Sequence, residues 1–236
     1  MSLSKIPVIV ILTLGFKAML TPPQPPPAKN EIVSSTKIDS TKMRYYRLTL
    51  GHIVQAVAAV VEIAAIFAVN YPSFSVSQRI LSFCTFDGQP NKLRLGQLGS
   101  LGAIFWAVGA ALRIRTYKDL GRFFRYDISI QKDHRLITNG LYSYVRHPAY
   151  SGMLLANIGW FLWNGGEGSW VRESGILKTT LGQVMLLAYA IFVVVPTSAI
   201  TLSRMSKEDE ALRQTFGDEW DKWAAKVPYS VLPGIY

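Results

Sequence analysis

Long apolar windows alternate along the chain with shorter stretches rich in charge, glycine and proline. A hydrocarbon core of roughly 30 Å needs about 20 apolar residues, at about 1.5 Å of rise each. Residues 48–69 meet that length with only His52, Gln55 and Glu62 as strongly polar interruptions, and residues 95–112 with only Gln97. Residues 181–200 form a third window, broken by Pro196. These three read as membrane-spanning helices. Residues 6–20 are apolar apart from Thr13 and Lys17 and run into the Thr21-Pro-Pro-Gln-Pro-Pro-Pro stretch. They fit either a cleaved signal peptide or a first membrane helix. Residues 149–163 follow Pro148, which suits the first position of a helix, and reach only about 22 Å at the same rise. Gly165, Gly166 and Gly168 then turn the chain, which predicts a hairpin with residues 181–200. The expected fold is an all-α, polytopic bundle of about five membrane segments. It divides into an N-terminal segment and linker (1–47), membrane helices (48–124) and a remainder (125–236).

Composition agrees: 50% of the 236 residues are hydrophobic and 17% charged, against roughly 25% charged in soluble domains. The formal charge of +10 admits a nucleic acid, a membrane surface or an acidic substrate, but long uncharged runs argue against nucleic acid. Its distribution is more informative. Arg113, Arg115, Lys118, Arg122, Arg125, Lys132, Arg135 and Arg146 fall between the 95–112 and 149–163 windows, opposed only by Asp119, Asp127 and Asp133. By the positive-inside rule that region is cytosolic. Alternation then puts residues 70–94 on the other side and returns the 21–47 linker and the tail after Ile200 to the cytosol. The single cysteine, Cys84, excludes an internal disulfide framework and a cysteine-based metal cluster, and no metal site is expected. The tail from 203 to 226 reads as an amphipathic helix with Met205, Leu212, Phe216, Trp220 and Trp223 on one side, weakened or divided at Gly217.

Candidate chemistry concentrates in residues 134–150, which gather His134, Tyr142, Arg146, His147 and Tyr150 at the cytosolic mouth of a short helix. A helix N-terminus favours an anion, and tyrosine faces attract a cation. Simple headgroup anchoring by Arg146 and Tyr150 is the plainer alternative. Arg204 and Glu208, four apart and on one helical face, and Asp209 follow the last apolar window on the same side. Both signs of charge can therefore meet there.

These two stretches together resemble the isoprenylcysteine carboxyl methyltransferase family. The resemblance rests on His134-Arg-Leu-Ile-Thr138, Gly140-Leu-Tyr142, Arg146-His-Pro-Ala-Tyr150, Glu208-Asp-x-x-Leu212-x-x-x-Phe216-Gly217 and Val227-Pro228, in order, across 125–233. It implies a membrane enzyme of the endoplasmic reticulum, its site facing the cytosol, that uses S-adenosyl-L-methionine to esterify the carboxylate of a prenylated cysteine. Prenylated CaaX-type proteins or prenylcysteine would be its partners, together with membrane lipids, and residues 125–236 its catalytic region. Carried over by position, Gln131, His134, Leu136, Ile137, Tyr142, Arg146, His147, Tyr150 and Glu208 would face the cofactor, and Arg204 the substrate carboxylate. Where the family carries paired glutamates this chain has Glu208-Asp209. Charge matching would give the cofactor's ammonium to Glu208 and its carboxylate to Arg146 and His147.

The implied chemistry asks little of the protein beyond placement. A terminal carboxylate, with a reference pKa of about 3.3–3.7, is already a nucleophile at neutral pH. Orientation in line with a sulfonium methyl then carries the rate. An arginine suits the planar carboxylate, though too tight a hold would stabilise the ground state. Two other readings stay open: a phospholipid or small-lipid methyltransferase, whose ammonium acceptor would need a base, and a catalytically silent membrane adaptor or lipid-binding protein. Glu62, inside an apolar window, is either functional or a partner in a bundle-interior hydrogen bond. Gly99, Gly102, Ala103, Ala107 and Ala110 suit close helix packing.

Overall fold

The computed structural model describes residues 2–34 and 41–235. Its main helices are α1 (Lys5–Leu20), α2 (Thr41–Asn70), α3 (Ser75–Cys84), α4 (Gln97–Leu120) and α5 (Pro148–Gly165). They are followed by α6 (Trp170–Glu173), α7 (Thr180–Tyr189), α8 (Val195–Phe216) and α9 (Asp218–Lys226). Among the described residues, three helices are long and apolar enough to cross a membrane: Lys42–Asn70, Gln97–Phe123 and Thr180–Phe216. They correspond to the three long windows of the sequence.

The closest pairing is α4 against α5, and glycine is the reason. A Cβ on Gly109 would stand 2.5 Å from the Ala156 nitrogen, and one on Gly159 would stand 2.3 Å from the Trp106 nitrogen. Gly102 and Gly152 meet opposing backbone in the same way. In each helix the two glycines are seven apart, two helical turns, so they share one face, and the backbones touch along it. The sequence reading paired 149–163 with 181–200 instead. That pairing is the looser one, and its visible contact along the shafts is the Trp160 ring stacked on Tyr189 at 5.3 Å between centroids. Glycine is what lets α4 and α5 close. At 18 residues, α5 extends about 27 Å, short of a full hydrocarbon core.

The third window is continuous rather than broken. Pro196 has no N–H for the carbonyl four residues back, and the chain absorbs this in a single π turn over Ala190–Val194, a known way of accommodating such a lesion. The helix then runs on through Arg204 and Glu208 to Phe216, so the predicted tail helix is an extension of the span. Gly217, at φ +52°, divides it from α9.

Helix α1 belongs to the bundle. Ile9, Leu12, Met19 and Leu20 are buried with Ala65, Ile66, Trp106, Ala110 and Met153 in the main core. At its start, buried Lys5 lies 2.6 Å from Glu62 and donates to the Gly168 carbonyl at 2.8 Å. Glu62 also accepts the Trp170 N–H at 3.0 Å. Glu62 is thus a bundle-interior partner of Lys5. The segments alternate in direction. Lys5, Glu62, Trp163 and Gly168 meet at one end of the bundle, while Leu20, Arg113, His147 and Arg204 meet at the other, where the candidate site lies. A short antiparallel ribbon, β1 (Ile32–Ser34) with β2 (Ile128–Ser129), ties the linker to the loop after α4.

Candidate active site

The loop from 121 to 147 is shaped by its anchors. Asp119, near the end of α4, accepts the Leu141 N–H at 3.3 Å, and Gly140 approaches that carboxylate at φ +61°, where a Cβ would be 2.8 Å from Oδ2. This turn delivers Tyr142, whose ring is buried with Trp223 and Val227 of the tail. The Trp223 indole donates to the Tyr142 carbonyl at 3.1 Å. His134 stacks on Phe123 at 4.6 Å and meets Phe216 edge-on at 5.9 Å. Its Nδ1 accepts the Gln131 N–H at 3.3 Å, leaving the proton of the neutral ring on Nε2. Burial pushes the His134 imidazole below its ordinary value, with the Glu208 carboxylate opposing and Arg122 adding to the shift. Burial and the Glu208 charge hold the Tyr142 phenol well above its ordinary value, so it is a neutral hydroxyl.

These elements enclose a cavity whose empty space, counting its open mouth, is about 1310 Å³. His134, Leu136, Ile137, Tyr142, Arg146, His147, Tyr150, Arg204 and Glu208 all line it. Its lining combines polar side chains, among them Arg146, His147, Arg204 and Glu208, with apolar ones such as Leu48, Met153 and Ile200. Gln131 is outside the lining. Its side chain folds back to donate to the Phe123 carbonyl at 3.2 Å, and its backbone holds His134.

Among the polar side chains, Tyr150 donates to Glu208 at 2.8 Å and accepts from Arg204 Nε at 3.3 Å, while Arg204 Nη2 donates to the Tyr126 carbonyl. His147 is 4% exposed and stacks on Tyr150 at 5.5 Å. Its Nε2 is 3.1 Å from Asp209 Oδ1 and its Nδ1 3.8 Å from Glu208.

Arg146 departs from the charge-matching expectation. Its Nε pairs with Asp209 at 3.2 Å, Nη1 donates to the Val227 and Pro228 carbonyls at 3.1 and 2.6 Å, and Nη2 donates to Ser230 at 2.9 Å. Four of its five N–H donors are thus used inside the protein. The tail also crosses the start of α5, because the Arg146 and His147 N–H groups donate to the Tyr229 and Ser230 carbonyls. Asp209 and Glu208 stand beside His147, and Arg146 already pairs with Asp209, so neither Arg146 nor His147 is an open hand for an anion.

The structure adds lining residues that the sequence reading passed over. Arg44, Arg47 and Arg113 enter the cavity wall, and Arg44 lies 2.8 Å from Asp127, both side chains buried. In the sequence they look like flanking charges that orient a span; only the spacing of Arg44 and Arg47, three apart on one helical face, hinted at more.

Comparison with known proteins bears on the same region. The family model described as the isoprenylcysteine carboxyl methyltransferase (ICMT) family matches residues 102–164, the glycine-packed pair and the loop between. A protein-S-isoprenylcysteine O-methyltransferase of Schizosaccharomyces pombe is 28% identical over 137 residues, covering 57% of this chain and 49% of its own. A probable protein-S-isoprenylcysteine O-methyltransferase of Oryza sativa subsp. indica is 31% identical over 137 residues, covering 57% of this chain and 61% of its own. This chain therefore spans about half to three-fifths of the length of these curated relatives. A Delta(14)-sterol reductase of Mus musculus is 26% identical over 102 residues, covering 43% of this chain and 20% of its own. Over α4, α5 and their loop, and over the stretch the relatives add around it, the chain is similar to the isoprenylcysteine carboxyl methyltransferase family.

Proposed function

We propose that the protein esterifies the carboxylate of an S-prenylated cysteine with a methyl group from S-adenosyl-L-methionine, in the cavity between α5, α8 and the 121–147 loop. The observation that carries this reading is the double character of that cavity. Its lining holds an arginine and a glutamate on one helix, α8, together with the apolar side chains of Leu48, Met153 and Ile200. A prenyl chain suits the second and a carboxylate beside Arg204 the first.

The donor set fits the cofactor. Arg125 and Ser129 each carry a buried polar atom without a hydrogen-bond partner in the structure, and both line the cavity. Unsatisfied buried atoms of this kind mark a polar ligand's place. When bound, S-adenosyl-L-methionine supplies an electrophilic methyl on a sulfonium. Glu208, held by Tyr150, would face its cationic part, and Leu136, Ile137, Tyr142 and the His134 ring would wall its flat apolar part. Arg146, His147 and Asp209 would keep Glu208 and the tail in place. Arg204 would fix the substrate carboxylate by two parallel N–H bonds, and no proton need be removed before attack. The endoplasmic reticulum, with the site facing the cytosol, is the compartment this reading implies, and prenylated CaaX-type proteins or prenylcysteine its acceptors.

The test offers purified protein and radiolabelled S-adenosyl-L-methionine to S-farnesylcysteine and to phosphatidylethanolamine in parallel. Label on farnesylcysteine that mild base releases as methanol is the expected result. Base-stable label on the phospholipid would replace this reading with N-methylation, and failure to bind the cofactor at all would favour the silent adaptor.

A further inference from the structure

We propose that Arg113 is a positioning residue for Arg204, setting both of the protein contacts described for that side chain. The inference rests on the reading of Arg204 as the carboxylate-holding group. Arg113 lies on α4, 3% exposed, and in the sequence it counts only as one more topology charge. In the structure its Nε donates to the Met19 carbonyl at 2.8 Å and its Nη1 to the Ala149 carbonyl at 3.2 Å. Its guanidinium carbon stands 5.4 Å from the Tyr126 ring centroid, with the Tyr117 and Phe124 rings at 5.8 and 5.9 Å.

The contacts converge on Arg204 from two sides. Tyr126 is held by its ring against Arg113 and by its hydroxyl, which donates to the Leu20 carbonyl at 2.8 Å. The carbonyl of that same residue accepts from Arg204 Nη2. Ala149 is held by its carbonyl, one residue before Tyr150, whose hydroxyl accepts from Arg204 Nε. One buried guanidinium therefore fixes the Tyr126 peptide and the first turn of α5, and through them the direction of Arg204. It also satisfies the end of α1, whose last carbonyls need donors and favour a cation. A planar fork can reach two carbonyls while lying among aromatic faces; an ammonium is a point charge and cannot do all three.

Arg113→Lys in the purified full-length chain tests this, with S-farnesylcysteine and labelled S-adenosyl-L-methionine as probes. The KM for farnesylcysteine is expected to rise about tenfold, since misplacement of about 1 Å can cost about 100-fold, with the KM for the cofactor within about twofold. In an Arg204→Lys background the same substitution should change kcat/KM by less than about threefold, because residues acting through one another are not additive. Tyr126→Phe, which removes only the hydroxyl, should move the same KM less far and keeps the idea testable if Arg113→Lys does not fold. An unchanged farnesylcysteine KM, a fall in kcat alone, or full additivity with Arg204→Lys would overturn the proposal. Wild-type protein that esterifies no prenylcysteine would remove the underlying reading and this inference together. Active wild type with indifferent Arg113→Lys and Tyr126→Phe would remove this inference alone.

Discussion

Glu208 and Asp209 are adjacent acids with different partners. Glu208 takes the Tyr150 hydroxyl at the cavity wall, whereas Asp209 pairs with Arg146 at 3.2 Å and stands 3.1 Å from His147 Nε2. Asp209→Asn should therefore destabilise the fold, by about 1–3 kcal/mol for a partly buried charged group losing its partners, read as a lowered melting temperature in detergent. Glu208→Gln should leave melting nearly unchanged and weaken cofactor binding, read by calorimetry. Equal effects of the two on melting would contradict this division. His134 gives a pH prediction. Burial depresses its imidazole in the folded state below the ordinary value of 6.5, so the neutral ring is favoured there. Its stabilising contribution is present above about pH 6.5 and is lost as pH falls through the lower folded value. Melting temperature between pH 7.5 and 5 should fall more for wild type than for His134→Gln, and parallel curves would contradict the assignment. None of these distinctions is legible in the sequence, where Arg146 and His147 look like hands for an anion. Their partners come from α8 and the tail, and only the folded geometry shows that the charges are already matched.

At the scale of elements, periodicity and length sufficed for the three long helices because each apolar window is a local property of the chain. Pairing was less legible. The turn at Gly165 to Gly168 pointed α5 at the next window, but proximity in sequence does not decide which helix comes nearest. The decisive feature is that Gly102 and Gly109 match Gly152 and Gly159 at equal spacing, so two backbones can touch. A Cβ at Gly109 would be 2.5 Å from the Gly152 carbonyl oxygen, and backbone cannot yield as a side-chain tip can. Gly109→Val should therefore abolish the folded, monodisperse protein in detergent, whereas Gly165→Ala, with nothing within 4 Å of its Cβ, should leave it intact. A well-folded Gly109→Val variant would show that the close pairing is not required. Pro196 misled in the opposite direction. It reads as a break, yet one π turn absorbs it, and the unbroken rod is what fixes Arg204 and Glu208 relative to the span.

Across the whole molecule, the alternation of charge and the alternation of helix direction agree. The linker, the 121–147 loop and the tail share one end, and the Lys5–Glu62 pair with its Gly168 and Trp170 contacts closes the other. The net charge of +10 is partly interior, since Arg44, Arg47 and Arg113 are buried in the cavity wall, and this the composition could not reveal. A cavity lined by both polar and apolar side chains, in a chain similar to the isoprenylcysteine carboxyl methyltransferase family, supports one proposal: a prenylcysteine carboxylate is methylated beside Arg204. Methylation of S-farnesylcysteine by purified Arg204→Ala protein, with cofactor binding measured on the same sample, tests that claim most directly. The account predicts cofactor affinity within about threefold of wild type and esterification reduced by about 100-fold or more, the scale of losing a positioned catalytic contact. Turnover like that of the wild type would contradict it.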